Sequence, residues 1–298
     1  MLLAIVAQRR TATNVALAAA VPRGVDARIL SPEQAAALLR PGAVALGRLD
    51  VVDGLDGVED GLWALGSLAA RGVRVLNRAG ALLAAHDKLL TAKVLRGADL
   101  PHPRTRVLHP GASLPEWEGA LVVKPRFGSW GRDVELCGDE IAFRRHVRAL
   151  EHRLWFQQHG ALLQELVPSA GHDLRVVVAG GVVVGAIGRL AAPGEWRTNV
   201  ALGGTRVAVE PPPEALGLAA RAAAAAGLDL VGVDLLPDGA GGWTVLELNG
   251  AVDFTREYLI DRDPFVAAAA ALTEVASATA PAAAEAGPRA AAGAEGAL

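Results

Sequence analysis

Short aliphatic runs alternate with helix-like stretches through the first part of the chain. The runs cover residues 2–7, 27–30, 44–46 and 73–76, and the stretches between them cover 14–20, 32–40 and 58–70. Ser31-Pro32-Glu33-Gln34 has the chemistry of a helix start: Ser as cap, Pro at the first helical position, Gln three residues after the cap. Strand–helix alternation predicts a parallel sheet covered by helices. Residues 1–85 are therefore expected to form a small α/β domain.

The pattern then changes. Aliphatic runs around Val107 and at 121–124, 134–136, 161–167, 174–178 and 182–189 are joined by glycine-bearing turns, and Ala179-Gly180-Gly181 is a hairpin signal. Helices are expected at 88–96, 140–151 and 214–226. Two more strands, 230–236 and 243–248, follow across a Gly-rich turn. Antiparallel hairpins beside helices indicate an α+β unit over residues 86–275. From 276 to 298 the chain is nearly all Ala, Gly, Glu and Pro, too poor in large apolar side chains to order itself, so a flexible tail is expected there.

Composition narrows the function. The 298 residues suffice for about two domains. Hydrophobic residues make up 52% but aromatics only 4%, so the core should be aliphatic. A formal net charge of -3 argues against nucleic acid or an anionic membrane as partner, and leaves room for a small anion in a local basic pocket. The single cysteine, Cys137, can build neither a disulfide framework nor a zinc cluster. The opening MLLAIVAQRR is apolar first and basic afterwards, the reverse of a secretory signal. Both features point to the cytoplasm. No apolar run reaches the roughly 18 residues of a membrane span. A homo-oligomer is left open.

Three segments can carry chemistry. Asp234 ends one strand, and Glu247 and Asn249 end the next. Residues two apart in a strand share a side, so Glu247 and Asn249 can converge, with Asp234 beside them. Two carboxylates and an amide oxygen are hard ligands suited to Mg²⁺ that also holds phosphate. Polar strand ends alone would give the same pattern. Second, residues 121–132 read LVVKPRFGSWGR. Here a strand ends in Lys124 and enters a loop whose glycines let backbone N–H groups approach phosphate. An ordinary glycine turn is the alternative. Third, Arg175, Arg189 and Arg197 lie on or beside a hairpin after Asp173. A buried arginine needs an anion, either a ligand or a structural carboxylate. An exposed strand edge at Glu165 could also bond adenine through its backbone.

The order of these segments is more informative than any one of them. His86-Asp87-Lys88, VVKPRFGSWGR, LLQELV at 162–167, DLRVVV at 173–178, AIGR at 186–189, RTNVALGG at 197–204, GVDLL at 232–236 and LELN at 246–249 together resemble the ATP-grasp superfamily. Within it they look like the RimK-type α-L-glutamate ligases, including the LysX branch. The resemblance runs from about His86 to Asp253. It implies an α/β pre-ATP-grasp domain followed by an α+β ATP-grasp fold. It also implies an ADP-releasing ligase that joins a carboxylate to an amine through an acyl phosphate, with ATP and two Mg²⁺ (or Mn²⁺) as cofactors.

Site roles follow from the same resemblance. Lys88 and Lys124 would touch the phosphates and the adenine side. Gly128, Ser129, Trp130 and Gly131 would form a mobile loop over the phosphates. Gln164, Glu165, Leu166 and Val167 would be the adenine hinge, with Asp173 near the ribose. Arg197 and Asn199 would bind phosphate, and Arg189 would meet the acyl phosphate or a substrate carboxylate. Asp234, Glu247 and Asn249 would hold the metals, Glu247 bridging. After Asn249 the chain reads Gly-Ala-Val-Asp-Phe, where RimK itself has Pro-Gly and the LysX branch an acidic-Phe pair. That favours a small-molecule or carrier-protein acceptor over a ribosomal protein. Alternatives are a natural-product or cofactor acceptor, or a non-catalytic ATP-binding regulator on the same fold. Asp234→Asn or Glu247→Gln is expected to abolish ATP turnover with the fold intact.

Overall fold

The computed structural model describes residues 1–168 and 170–278. The expected tail lies outside the described residues from 279 onward; residues 276 and 277 instead close the last helix.

The first aliphatic runs form a four-stranded parallel sheet, as their alternation with helices predicts. Strand β1 (Leu2–Val6) pairs with β2 (Asp26–Leu30) on one side and β3 (Ala43–Gly47) on the other, and β3 pairs with β4 (Arg74–Leu76). Thr11 caps α1 (Ala12–Ala19), and Ser31 and Gln34 close a reciprocal capping box on α2 (Pro32–Leu38). Helix α3 (Leu62–Ala70) starts four residues later than its hydrophobic pattern suggests. Val58 bridges Val51 instead, and Gly61 at φ +127° breaks the chain before the helix.

Helix α4 (Ala79–His86) was not legible. Its sequence AGALLAAH has no polar stripe, because it is wedged between the first sheet and the rest of the chain. Asp87 ends α4 and caps α5 (Lys88–Gly97) by accepting from the Leu89 backbone N–H at 3.0 Å. Next come β5 (Thr105–Leu108), β6 (Leu121–Pro125), β7 (Glu135–Cys137), α6 (Glu140–Leu150), the unanticipated short α7 (Leu154–His159) and β8 (Ala161–Glu165). The four strands form an antiparallel sheet in the order β5-β8-β6-β7. Phe143, Trp155 and Phe156 cover it.

The third sheet is antiparallel, in the order β11-β10-β9-β12-β13: β9 (His172–Ala179), β10 (Val182–Leu190), β11 (Thr205–Val207), β12 (Leu230–Pro237) and β13 (Trp243–Asn249). One face packs on α8 (Pro213–Ala226), whose Ala215, Ala219, Ala222 and Ala223 let helix and sheet approach closely. The other packs on α9 (Pro264–Ser277), Phe254 and Tyr258, in a core continuous with β1 and β3. Helix α9 was missed because its Ala run resembles the Ala-rich tail beyond it; Ala267, Ala268, Ala269 and Ala271 are buried. Among the described residues no helix is long and apolar enough to cross a membrane.

Candidate active site

A cavity of about 110 Å³ lies between the second and third sheets. Every site residue nominated from the sequence lines it except Arg175 and Asn249. Lys124 and Gln164 come from β6 and β8 below. Asp173, Arg189 and Asp234 come from β9, β10 and β12 above. The glycine loop closes one side, and Arg197 and Asn199 come from the segment between β10 and β11.

Lys124 is 5% exposed, and its Nζ donates to Gln164 Oε1 at 2.7 Å. Burial pushes its ammonium down to about 8. The Lys88 charge adds to that, and Glu247 opposes it. Lys88 Nζ donates to the Gly128 carbonyl at 2.5 Å and lies 3.6 Å from Glu247 Oε2. Both lysines therefore face oxygen acceptors beside the cavity.

The sheet wall is a charge lattice. Arg175 donates to both oxygens of Asp234, at 2.6 and 2.7 Å. Arg189 donates to both oxygens of Asp173, at 2.8 and 2.5 Å, and reaches Asp234 Oδ2 at 2.9 Å. Thr198 Oγ1 adds a third contact to Asp173, donating to Oδ2 at 2.5 Å. Burial alone would raise the Asp234 carboxyl; Arg175 and Arg189 outweigh it and hold the group ionised far below its usual range. Of the two readings of the buried arginines, the structural carboxylate is the one observed for Arg175 and Arg189.

Arg197 is placed differently. It donates to Glu195 through Nε and Nη2, and Nη1 donates to the carbonyls of Gly131 and Val134 at 3.0 and 3.1 Å. It ties the glycine loop to the β10–β11 segment. Its hydrogen bonds hold the Glu195 carboxyl down to about 2. Gly131 sits at φ +71°, and a Cβ there would meet Asn199 Oδ1 at 2.8 Å, so the position needs glycine. Trp130, also at positive φ, is half exposed, with Arg132 stacked 4.8 Å from its ring centroid.

One expectation fails in detail. Strand β8 is not an edge: it lies between β5 and β6, and the Glu165 N–H donates to the Arg104 carbonyl at 3.0 Å. Past the strand end, Leu166 and Val167 line the cavity together with Gln164 and Glu165.

A model of the RimK-like ATP-grasp domain matches residues 85–272. The chain belongs to the RimK-like ATP-grasp family. It is 31% identical over 217 residues to glutamate–LysW ligase ArgX of Sulfurisphaera tokodaii, covering 70% of this chain and 76% of that protein. It is 30% identical over 218 residues to tetrahydromethanopterin:α-L-glutamate ligase of Methanosarcina acetivorans, 67% of each chain. The fold matches that of D-alanine–D-alanine ligase from Bacillus anthracis, solved in complex with ATP, with a TM-score of 0.65 at 16% identity, over 92% of this chain and 95% of that one. The RimK-like chain is thus an ATP-grasp ligase.

Family membership implies a divalent metal, and the donor set here fits one. Asp234 and Glu247 are paired directly across β12 and β13. Asp234 has given three acceptor sites to arginines, and a carboxylate offers about four. Glu247 has Lys88 as its neighbour at 3.6 Å. Asn249, opposite Gly232, keeps a buried Nδ2 without a hydrogen-bond partner. Among the described residues no three His, Cys, Asp or Glu side chains gather as a metal cage. Mg²⁺ does not need such a cage, since it commonly uses one or two carboxylates plus substrate phosphates.

A second cavity, about 370 Å³, adjoins the first in this RimK-like site. Ser129, Trp130, Arg189, Asn199 and Glu247 line both. Asn249 faces only the second, with His86, Asp50, Asp253 and Arg206. Burial, helped by Lys88, pushes His86 down to about 4, so its ring is neutral. Sequence reasoning gave no role to Asp50, which no motif marks, or to His86, which was read only as part of the His86-Asp87-Lys88 motif. Asp87, quoted in that motif without a role, receives both guanidinium arms of Arg126 and so fixes the loop entry.

Proposed function

We propose that this ligase uses ATP, with two Mg²⁺ or Mn²⁺, to convert a substrate carboxylate to an acyl phosphate. It then joins that carbonyl to the amine of glutamate or a similar amino acid. The acceptor is a small molecule or a small carrier protein, and the setting is the cytoplasm. The observation that carries the reading is the wall shared by the two cavities. ATP in the smaller cavity and a carboxylate in the larger would meet at Arg189, Glu247 and the glycine loop. The names of the relatives, both glutamate ligases, support the amino acid.

The chemistry this wall must perform is phosphoryl transfer followed by acyl transfer. A carboxylate oxygen attacks the γ-phosphorus, the bond to ADP breaks, and charge spreads over the phosphoryl oxygens. The protein's share is positioning and charge neutralisation. Lys88 and Lys124, each bonded to one protein oxygen, can transfer that contact to the triphosphate. Arg189, locked by Asp173 and Asp234, cannot follow the substrate, so it acts as a fixed dipole toward the acyl phosphate and the later oxyanion. Asp234, Glu247 and Asn249 would hold the metals, which supply Lewis-acid neutralisation of phosphate oxygens. The loop from Arg126 to Arg132 excludes water, which would otherwise hydrolyse the intermediate. The amine then attacks the acyl carbon and phosphate leaves.

The test is ADP release and product mass. Purified protein, ATP, Mg²⁺ and labelled glutamate are incubated with a small-molecule extract of cells, and then with its protein fraction. A glutamate-sized mass increase on one acceptor, matched by ADP, is expected. Tight ATP binding with no ADP release across the amino acids and both fractions would reject ligation.

A further inference from the structure

The larger cavity is lined by charges of both signs. Strands β11 and β13 are the outer strands of the third sheet. Asp253 follows β13 and faces the cavity together with Asp50. On the other outer strand, Arg206 lies directly opposite Arg189 in the β10–β11 pairing and lines the same cavity.

Three arginines border this space, and they differ in what they have left to give. Arg189 is buried and Arg175 partly so, each with a bidentate aspartate, so their charge is already matched. Arg206 is not. Its partner is Glu257, at 3.4 Å, and both side chains are open to solvent, 36% and 60% exposed. Glu257 is also held by Thr255 Oγ1 at 3.1 Å. A solvated pair of this kind contributes little and yields readily to a better-placed anion. A ligand carboxylate enclosed in the cavity is such an anion, and the guanidinium fork suits it.

We propose that Arg206 is a specificity residue that binds the side-chain carboxylate of an amino dicarboxylate in the larger cavity. This rests on the ligase reading above and names the group that reads the substrate. The bland alternative is a structural rim salt bridge between Arg206 and Glu257. The two differ in one respect: a structural bridge is broken equally from either side, whereas a ligand reader loses function only when the arginine goes.

Calorimetric titration of glutamate and of glutamine, its neutral isostere, into protein saturated with Mg²⁺ and a non-hydrolysable ATP analogue separates them. The wild type is expected to prefer glutamate by about tenfold or more, the scale of a charged hydrogen bond. Arg206→Ala should bring the ratio close to one, Arg206→Lys should keep part of it, and Glu257→Gln should keep or raise it. A ratio unchanged in Arg206→Ala, an equal loss in Glu257→Gln, or a wild type that does not favour glutamate would each overturn the assignment. If the nucleotide analogue itself fails to bind, the ligase reading falls too; if it binds and the ratio does not respond, only the Arg206 role falls.

Discussion

On the sheet wall of the cleft, Asp173, Arg175, Arg189 and Asp234 satisfy one another with paired, largely buried hydrogen bonds, whereas the outer part of the glycine loop facing them, at Trp130 and Arg132, has exposed contacts. Arg189 and Asp234 are 4% and 2% exposed. On the loop, Trp130 is half exposed, and Arg132 holds Asp53 at 3.1 Å in open solvent. The energies differ accordingly. Breaking a buried pair costs about 3–5 kcal/mol, while an exposed one contributes about 0–1. One wall is therefore fixed in place before substrate arrives. The outer part of the loop has few buried contacts to break, which is the property the proposed cover over reactive phosphate needs.

The sharpest way to break this comparison is at Asp234. From sequence alone, Asp234→Asn and Glu247→Gln looked equivalent. The charge lattice separates them. Asp234→Asn leaves two buried guanidinium groups with one fewer carboxylate and should cost about 3–5 kcal/mol of stability as well as activity. Glu247→Gln touches only the Lys88 contact at 3.6 Å. It should leave the melting temperature unchanged and lower ATP turnover by about 10²–10³-fold. Thermal melting and ADP release on both variants check this. Equal melting temperatures would mean that the lattice does not bear on the fold.

Lys124 sharpens the comparison from below, because it sits where the sheet meets the loop. Its ammonium, near 10.5 in an unfolded chain, is pushed down to about 8 by burial first and Lys88 second. Between about pH 8 and 10.5 the unfolded chain binds more protons, so this group makes the fold more stable as pH rises. Nucleotide affinity should run the other way. The triphosphate favours the protonated amine, so affinity should fall about tenfold per pH unit above a midpoint near 8. Bound triphosphate raises the lysine's own value, so the loss appears in the free protein's binding constant. Titrations of the ATP analogue at pH 7, 8 and 9 measure it. A flat profile would remove Lys124 from the phosphates.

Much of this arrangement was legible because phosphate and metal chemistry demand particular residue types at strand ends and in glycine loops. Lys124, the glycines at 128 and 131, and the Asp234, Glu247 and Asn249 group could be read that way. Other features depend on contacts between distant segments. The β12–β13 pairing slips by one residue after Asp234, whose partner is Glu247, while Leu235 pairs with Val245. That bulge turns the adjacent Leu246 and Glu247 toward one cavity, which a regular strand forbids. It also leaves Asn249 on the neighbouring cavity. The Asp173–Arg189 and Asp234–Arg175 pairs join residues on different strands, and no local spacing announces them. Strand β8 became interior because β5, a short run around Val107, adds beyond it. Helices α4 and α9 lacked the polar face by which a helix is recognised.

The smallest effect is expected where the loop meets the first sheet. Arg132→Ala removes the Asp53 pair, 37% and 77% exposed, and the stacking on Trp130. Each contributes at most about 1 kcal/mol at an exposed site, so melting should shift by no more than a few degrees. The consequence for catalysis is more specific. A looser cover should raise the KM for ATP only a few-fold. It should also increase ADP release in the absence of amine, because water then reaches the acyl phosphate. Coupling, measured as ADP formed per amide, reports on the cover alone. If Arg132→Ala keeps full coupling while lowering stability as much as Asp234→Asn, the loop is as rigid as the sheet wall, and the contrast between the two sides of the cleft does not hold.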